Sequence, residues 1–487
     1  MLFGTFKSIF VIWWMSVSMV SATTQWSLVI DAGSSGTRMR IFRYDVIDGN
    51  DDLPTIEQFL PENPTDQDKL VVTPGLSSFT ENRTAAIDQI QGLVSEAARW
   101  VPESEKKNTF IRLGATAGLR LVSIRDQNYL IDAVVSVLSD CPFQFISGDA
   151  RVLSGEEEAT FGWLSANYIA GRFQDDNLDT VGLMDLGGAS TQIAFEPKDQ
   201  IMEEQFSTKV GAKIYRIYAT SYLKYGNDQF KQLVAKEIIR LPNGGSGTSS
   251  DPYTTPCQCN NFTESYVVGT DSQETYFTGT GDWDACRNIT KHLLYPATPC
   301  FFEDPSTDCA INGKYMVDVS GTFLGISSLF YTVNGLGLVG WGSSASVSLD
   351  TIEATGREWC LEASNANSSS HAPDYCRNSA YIVSLLHDAY GFDMADNTTV
   401  TYTRKLNGFD VDWTLGMVLY YEEALARPTS DDDGSNVSWS GIAVGAAMVV
   451  GCLLLVSVFV FVWKRCRNNS GDSSESKRRR GVEEALA

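Results

Sequence analysis

The chain is poor in several residue types that mark well-known catalytic classes. It has three histidines in 487 residues, His292, His371 and His387. None stands at metal-ligand spacing, which excludes a His-rich binuclear phosphatase centre and leaves all three to structural use. No G-x-x-x-x-G-K-[ST] sequence occurs, and the P-loop class goes with it. Lys and Arg total 37 against 60 Asp and Glu, a formal net charge of -23; nucleic-acid binders need clustered cations to displace counterions, so that class is excluded too. An anionic substrate would have to be drawn by local or metal-borne charge. Gly335-Leu336-Gly337-Leu338-Val339-Gly340 satisfies G-x-G-x-x-G. No βαβ unit surrounds it and no acid ends a second strand, so it reads as a glycine-rich packing loop.

Long apolar runs are scarce as well, and the two present define a topology. Residues 9–20 follow Lys7 and end near the small side chains Ser21 and Ala22, the pattern of a secretory signal over residues 1–22, with an uncleaved anchor as the alternative. Residues 441–463 carry no charge and are long enough to cross a bilayer; Lys464, Arg465 and Arg467 follow at once. Positive charge on that flank puts residues 464–487 in the cytoplasm and everything before the span outside, after a solvated stalk at 427–440. Gly441 and Gly445 have the small-xxx-small spacing that supports lateral association of spans into a homo-oligomer. Eight of the ten cysteines (Cys141, Cys257, Cys259, Cys286, Cys300, Cys309, Cys360, Cys376) precede the span, as disulfides of an oxidising compartment would. Six N-x-S/T sequons, at Asn82, Asn261, Asn288, Asn367, Asn397 and Asn436, fall on the same side, whereas Asn63 is blocked by Pro64.

The outer region contains an internal echo. Asp31-Ala32-Gly33-Ser34-Ser35-Gly36-Thr37 follows an apolar run, and so does Asp185-Leu186-Gly187-Gly188-Ala189-Ser190-Thr191, with Asp, Gly and Thr at equal spacing. Each reads as a buried strand, a tight turn and a returning strand. One such hairpin would be an ordinary Gly/Ser turn; two of the same spacing imply two related lobes facing each other. Between them Ile87, Ile90, Leu93, Val94 and Ala97, then Leu130, Ile131, Val134, Val135 and Leu138, recur at helical spacing, beside strand-like runs at 110–113 and 143–146. The expected architecture is α/β, two layered domains with a cleft between them.

Both turns have what a phosphate loop needs: small residues that let backbone N–H groups approach, hydroxyl donors, and an Asp able to hold a metal-bound water. A third small-residue segment runs from Leu113 through Thr116 to Arg120. A fourth, Ser154-Gly155-Glu156-Glu157-Glu158, places an N-cap and three acids at a helix start. The acids could merely complement the helix dipole, but hydrolysis needs a carboxylate to deprotonate water.

In chain order these four segments resemble the first four conserved regions of the apyrase, or ecto-nucleoside triphosphate diphosphohydrolase, family, and Asp412-Trp413-Thr414-Leu415-Gly416 resembles the fifth. The resemblance implies the actin, sugar kinase and heat-shock ATPase fold: two lobes of ribonuclease-H-like type clamping a nucleotide and a metal. It assigns residues 23–152 to lobe I, 153–400 to lobe II, and 401–426 to a segment returning to lobe I. It also implies that Glu158 is the catalytic base, that Ser190 and Gln192 orient the attacking water, and that Asp31 and Asp185 hold Ca²⁺ or Mg²⁺ through waters. Gly33, Ser34, Ser35, Gly36, Thr37, Thr116, Gly187, Gly188, Ala189, Ser190, Thr191 and Gln192 would cradle phosphates, with Tyr331 against the base. Ala159 departs from the family's usual Gly. The expected activity is removal of the terminal phosphate of nucleoside tri- and diphosphates, by a type I membrane protein of the cell surface or of a Golgi or endolysosomal membrane. The competing readings are a catalytically silent glycosylated ectodomain of the same fold, which the retained acids oppose, and a sugar kinase, which the secretory topology and Glu158 oppose.

Overall fold

A computed structural model describes residues 22–425 apart from 48–52, 176, 212, 243–244, 270–272, 296–308 and 397–398. The leader, stalk, span and tail expected from the sequence lie outside the described residues, as do Cys300, Asn397 and Asn436. Among the described residues no helix is long and apolar enough to cross a membrane.

Two mixed sheets organise the chain. The first comprises β1 (Ala22–Ala32), β2 (Thr37–Ile47), β3 (Ile56–Phe59), β4 (Phe110–Ala115) and β5 (Ala150–Val152), in the order β3-β2-β1-β4-β5, with the two-residue strand Val71–Val72 also paired to β2. The second comprises β6 (Gly182–Leu186), β7 (Ser190–Phe195), β8 (Gln205–Val210), β9 (Lys213–Leu223), β10 (Phe323–Ser327), β11 (Ala345–Ser346) and β12 (Val400–Tyr402), in the order β11-β12-β10-β6-β7-β9-β8. In both, a first strand has an antiparallel hairpin partner and a third strand on one side and two parallel strands on the other. The repeat read from the turn spacing is thus a repeat of strand topology.

Period-two alternation decides which helices each sheet face receives. In β1, Leu28 and Ile30 enter one core with α1 (Arg83–Ala97) and α2 (Ile124–Ser139). Val29 points the other way, into a core shared with Leu183 and Ala194 of the second sheet. Two helices, α3 (Gly155–Ile169) and α9 (Thr414–Leu425), occupy that middle layer. The far face of the second sheet, with Met184, Ile193, Phe195 and Phe323, is covered by α4 (Asn227–Arg240), α5 (Trp283–Leu294), α6 (Ser328–Gly335), α7 (Leu349–Leu361) and α8 (Tyr375–Val383).

α3 is buried around most of its circumference, as a helix between two sheets must be. Its closest approach to α9 is set by Gly416, where a β-carbon would lie 1.8 Å from the Phe161 carbonyl oxygen. The Gly416 N–H donates to Ser165 Oγ at 2.7 Å.

Some local expectations change. The run 143–146 does not form a strand; it makes a single bridge, Gln144 to Phe110, and the edge position falls to β5. The G-x-G-x-x-G glycines close α6 instead of opening a helix: Gly335 is its last residue, packed against the Tyr375 ring, and Gly337 has φ +81°. A dinucleotide loop presents phosphate to a helix N-terminus, so that use is ruled out. Disulfides join Cys257 to Cys286 and Cys360 to Cys376, and Cys309 is also bonded, but Cys141 and Cys259 are free thiols. Sequence spacing alone could not separate paired from unpaired cysteines.

Candidate functional site

The turns after β1 and β6 meet. A β-carbon on Gly188 would lie 2.8 Å from Ser34 Oγ and 2.6 Å from Asp228 Oδ2, so only hydrogen fits between the two loops. Each turn is braced from behind by glycines at closest approach: Gly75 and Gly118 against Gly33 and Ser34, and Gly226 against the Ala189 and Ser190 nitrogens. The start of α4 is tied to the second turn by Asn227 N–H to the Gly187 carbonyl and Asp228 N–H to the Gly188 carbonyl, 2.8 and 2.9 Å.

Not every small polar residue of the two turns faces the junction. Ser35 is exposed at the rim. Thr37 is buried and donates to Gln89 Oε1 at 3.0 Å; Thr191, also buried, donates to the Asp185 carbonyl at 3.1 Å. Thr37 thus ties the first hairpin to α1, whereas Thr191 closes its own hairpin from inside. Thr116 is buried too, its N–H bonded to the Ala32 carbonyl at 3.1 Å, and it opens the short helix that carries Arg120.

Glu158 comes from the first turn of α3. Ser154 and Glu157 form a reciprocal capping box there, which fixes the entry of the helix. Burial pushes the Glu158 carboxyl up to about 7, although Arg120 opposes the shift; Asp185 and Asp31 add to it. Arg120 Nη2 donates to Glu158 Oε2 at 2.7 Å and to Ser190 Oγ at 3.2 Å, and its Nη1 to the Leu153 carbonyl at 3.1 Å. Gln192 Nε2 donates to Ser190 Oγ at 2.6 Å and to Ser221 Oγ at 3.2 Å. Glu158, Asp185, Gln192 and Trp413, with Ala159, Gly162, Leu183 and Ala194, line a small cavity of about 10 Å³, the size of a single water site.

Two aspartates occupy matching ladder positions: Asp31 opposite Arg38, and Asp185 opposite Gln192. Burial pushes each up to about 6, with Arg38 lowering both. Asp412 raises both from the start of α9 and is itself held by Arg40, 2.9 Å away. Asp185 Oδ1 is buried without a hydrogen-bond partner, the state of an oxygen that a cation or its hydration shell would satisfy. Among the described residues no three His, Cys, Asp or Glu side chains converge closely enough to cage an ion directly. One or two carboxylates with water and substrate phosphate completing the shell is the usual arrangement for Mg²⁺, so the residues fit a hard divalent cation held through waters.

Tyr331 lies on α6, four residues past Ser327, whose hydroxyl opposes the upward shift of the Asp185 carboxyl. It is 42% exposed and lies near-parallel to Trp341, itself 61% exposed, with centroids 6.0 Å apart; Arg404 sits over the Trp341 ring at 5.0 Å. Arg120, Asp412 and Trp413 stand inside the sequence motifs, yet spacing alone gives no role to any of them. Trp341, Asp228 and Ser221 lay outside them and carried no local signal.

The profile of the GDA1/CD39 (nucleoside phosphatase) family matches residues 17–430. Probable apyrase 3 of Arabidopsis thaliana is 30% identical over 439 residues, 86% of this chain and 86% of its own length. Ectonucleoside triphosphate diphosphohydrolase 2 of Gallus gallus is 31% identical over 429 residues, covering 81% and 82%. A solved structure described as nucleoside triphosphate hydrolases from Neospora caninum superposes with a TM-score of 0.59 at 17% identity, over 83% of this chain and 94% of that one, and supports the fold. On the breadth of these matches the chain belongs to the GDA1/CD39 nucleoside phosphatase family and is a phosphohydrolase of nucleoside phosphates.

Proposed function

We propose that the protein removes the terminal phosphate of nucleoside tri- and diphosphates by direct attack of water. The observation that carries the reading is the cavity shared by Glu158, Gln192 and Asp185, beside the junction of the two turns. Glu158 takes the proton of the attacking water, and a carboxyl raised to about 7 is poised for that near neutral pH. Gln192 and Ser190 orient the water; the hydrogen-bonded chain Gln192–Ser190–Arg120–Glu158 holds both groups in register with the base. Backbone N–H groups of the turns at 33–36 and 188–189 receive phosphate oxygens; the Gly187 N–H donates instead to the Ser190 carbonyl at 3.0 Å and closes the second hairpin. Ca²⁺ or Mg²⁺ bound when Asp31 and Asp185 are ionised would neutralise phosphate charge. Tyr331 and Trp341 offer a stacking surface for the base. No side chain placed here needs to bond covalently to phosphorus.

The division into lobes at 23–152 and 153–400, with 401–426 returning to the first, belongs to this proposal. It is supported by the packing of Trp413, Leu415 and Val418 with Val29 and Phe42. Anchoring by residues 441–463 with the enzyme outside the cytoplasm is the accompanying proposal for location. The exposure of Asn82, Asn261, Asn288 and Asn367 supports it.

The test is phosphate release by the full chain in detergent across ATP, ADP, UDP and GDP, with and without Ca²⁺ or Mg²⁺. Metal-dependent release from both tri- and diphosphates is expected. Release from triphosphates alone, or undiminished release in excess chelator, would contradict the reading.

A further inference from the structure

Away from the catalytic junction, an open groove of about 730 Å³ lies on the first sheet's helical face, lined by Thr80, Ile124, Arg125, Asp126, Asn128, Tyr129 and Asp132. Its lining pairs one aromatic ring and one 70% exposed isoleucine with hydrogen-bonding and charged groups. That mixture suits a carbohydrate, which presents C–H faces to rings and hydroxyls to polar groups. Asn82, the acceptor of Asn82-Arg83-Thr84, is exposed and stands two residues from Thr80. Its side chain caps α1: Oδ1 accepts from the Ala85 N–H at 3.1 Å, and Nδ2 has no hydrogen bond among the described residues. Glycosylation substitutes Nδ2 and leaves the Oδ1 lone pairs, so cap and glycan are compatible. Arg83, the next residue, fixes the ring in place, donating to the Tyr129 carbonyl at 2.7 Å and packing 5.3 Å from the ring centroid.

We infer that Asn82 carries an N-linked glycan whose first sugars lie in this groove against Tyr129 and Ile124. The inference rests on the proposed placement of residues 23–440 outside the cytoplasm.

The test uses the full chain made in a eukaryotic secretory host. Glycopeptide mass spectrometry reads occupancy at each sequon, and timed enzymatic deglycosylation of the native protein reads accessibility. The expected result is an occupied Asn82 whose glycan is released at least about tenfold more slowly than those at Asn261, Asn288 and Asn367, the protection given by a local opening equilibrium. Tyr129→Ala should remove that protection. It should also lower Tm in the glycosylated chain by more than in a Thr84→Ala background, which loses the sequon but keeps the Asn82 cap. Glycans at the other sequons with Asn82 bare, release of all at one rate, or an equal Tm effect in both backgrounds would overturn the groove assignment. Bare asparagines throughout would overturn the topology with it.

Discussion

Arg120 Nη2 stands 2.7 Å from Glu158 Oε2, and both side chains are nearly buried, at 14% and 11% exposure. The guanidinium is the main influence holding the Glu158 carboxyl down against burial, so its loss must raise that carboxyl above about 7. Activity that needs the ionised base rises with pH as Glu158 loses its proton. Arg120→Met should therefore move the acid limb of the kcat profile to higher pH, whereas Glu158→Gln should abolish the limb and lower kcat by about a hundredfold with KM little changed. A limb that moves to lower pH in Arg120→Met, or near-normal turnover in Glu158→Gln, would remove the base assignment.

Asp31 and Asp185 give a stability signature of the metal site. Their folded-state values near 6 lie above the ordinary 3.8, so the folded protein binds these protons more tightly than the unfolded chain. The associated stabilisation is complete below about pH 4 and is lost as pH rises through about 6. In excess chelator Asp185→Asn should gain Tm relative to the unsubstituted protein on going from pH 4 to pH 7. Added Ca²⁺ at pH 7 should raise the Tm of the unsubstituted protein and affect the variant much less. Equal responses of the two to Ca²⁺ would argue against Asp185 as a metal-holding group.

The near-parallel pair Tyr331 and Trp341 is exposed, and among the described residues Tyr420 is the one other exposed aromatic ring. Stacking of this kind contributes about 0.5–1.5 kcal/mol, so Trp341→Ala should raise KM for ATP and ADP by roughly three- to tenfold and leave kcat within about twofold. Hydrolysis of inorganic tripolyphosphate, which has no base, should be unchanged. An equal loss on both substrates would mean that the ring supports the fold and not the base.

What the sequence made legible depended on repetition and on local chemistry. The echo from Asp31 and Asp185 announced two equivalent hairpins, and the ladders place both aspartates at the same register. Helical spacing announced α1 and α2, because their apolar residues face a single sheet. α3 is different: packed between two sheets, it is buried around most of its circumference, and only its cap and acids marked it. Strand β5 was missed because three residues, Ala150 to Val152, carry too short an alternation to detect, while the more apolar 143–146 does not pair beyond one bridge. Asp412 and Arg40 are separated by 372 positions and meet through tertiary packing, so no spacing could have joined them. Trp341 reaches Tyr331 around the Gly337 turn at the end of α6, a juxtaposition set by backbone geometry.

Two glycines separate the requirements of the site from those of the fold. At Gly188 an added β-carbon would press on Ser34 Oγ and Asp228 Oδ2, the ends of side chains that can rotate away. Gly188→Ala should therefore fold with a Tm close to that of the parent while losing most turnover, because Ser34 and Asp228, turned aside to admit the methyl, no longer keep the contact between the two phosphate turns. At Gly416 the added carbon would lie 1.8 Å from the Phe161 carbonyl oxygen, backbone in the middle of α3 that has no room to retreat between the sheets. Separating α3 from α9 would also loosen the Ser165 bond to the Gly416 N–H, so Gly416→Ala should destabilise by about 3 kcal/mol or fail to fold. Thermal unfolding and phosphate release measured on both variants distinguish the two effects. An active, fully stable Gly416→Ala would show that α3 and α9 are not pressed together as described, and a fully active Gly188→Ala would show that catalysis does not need the two turns in contact.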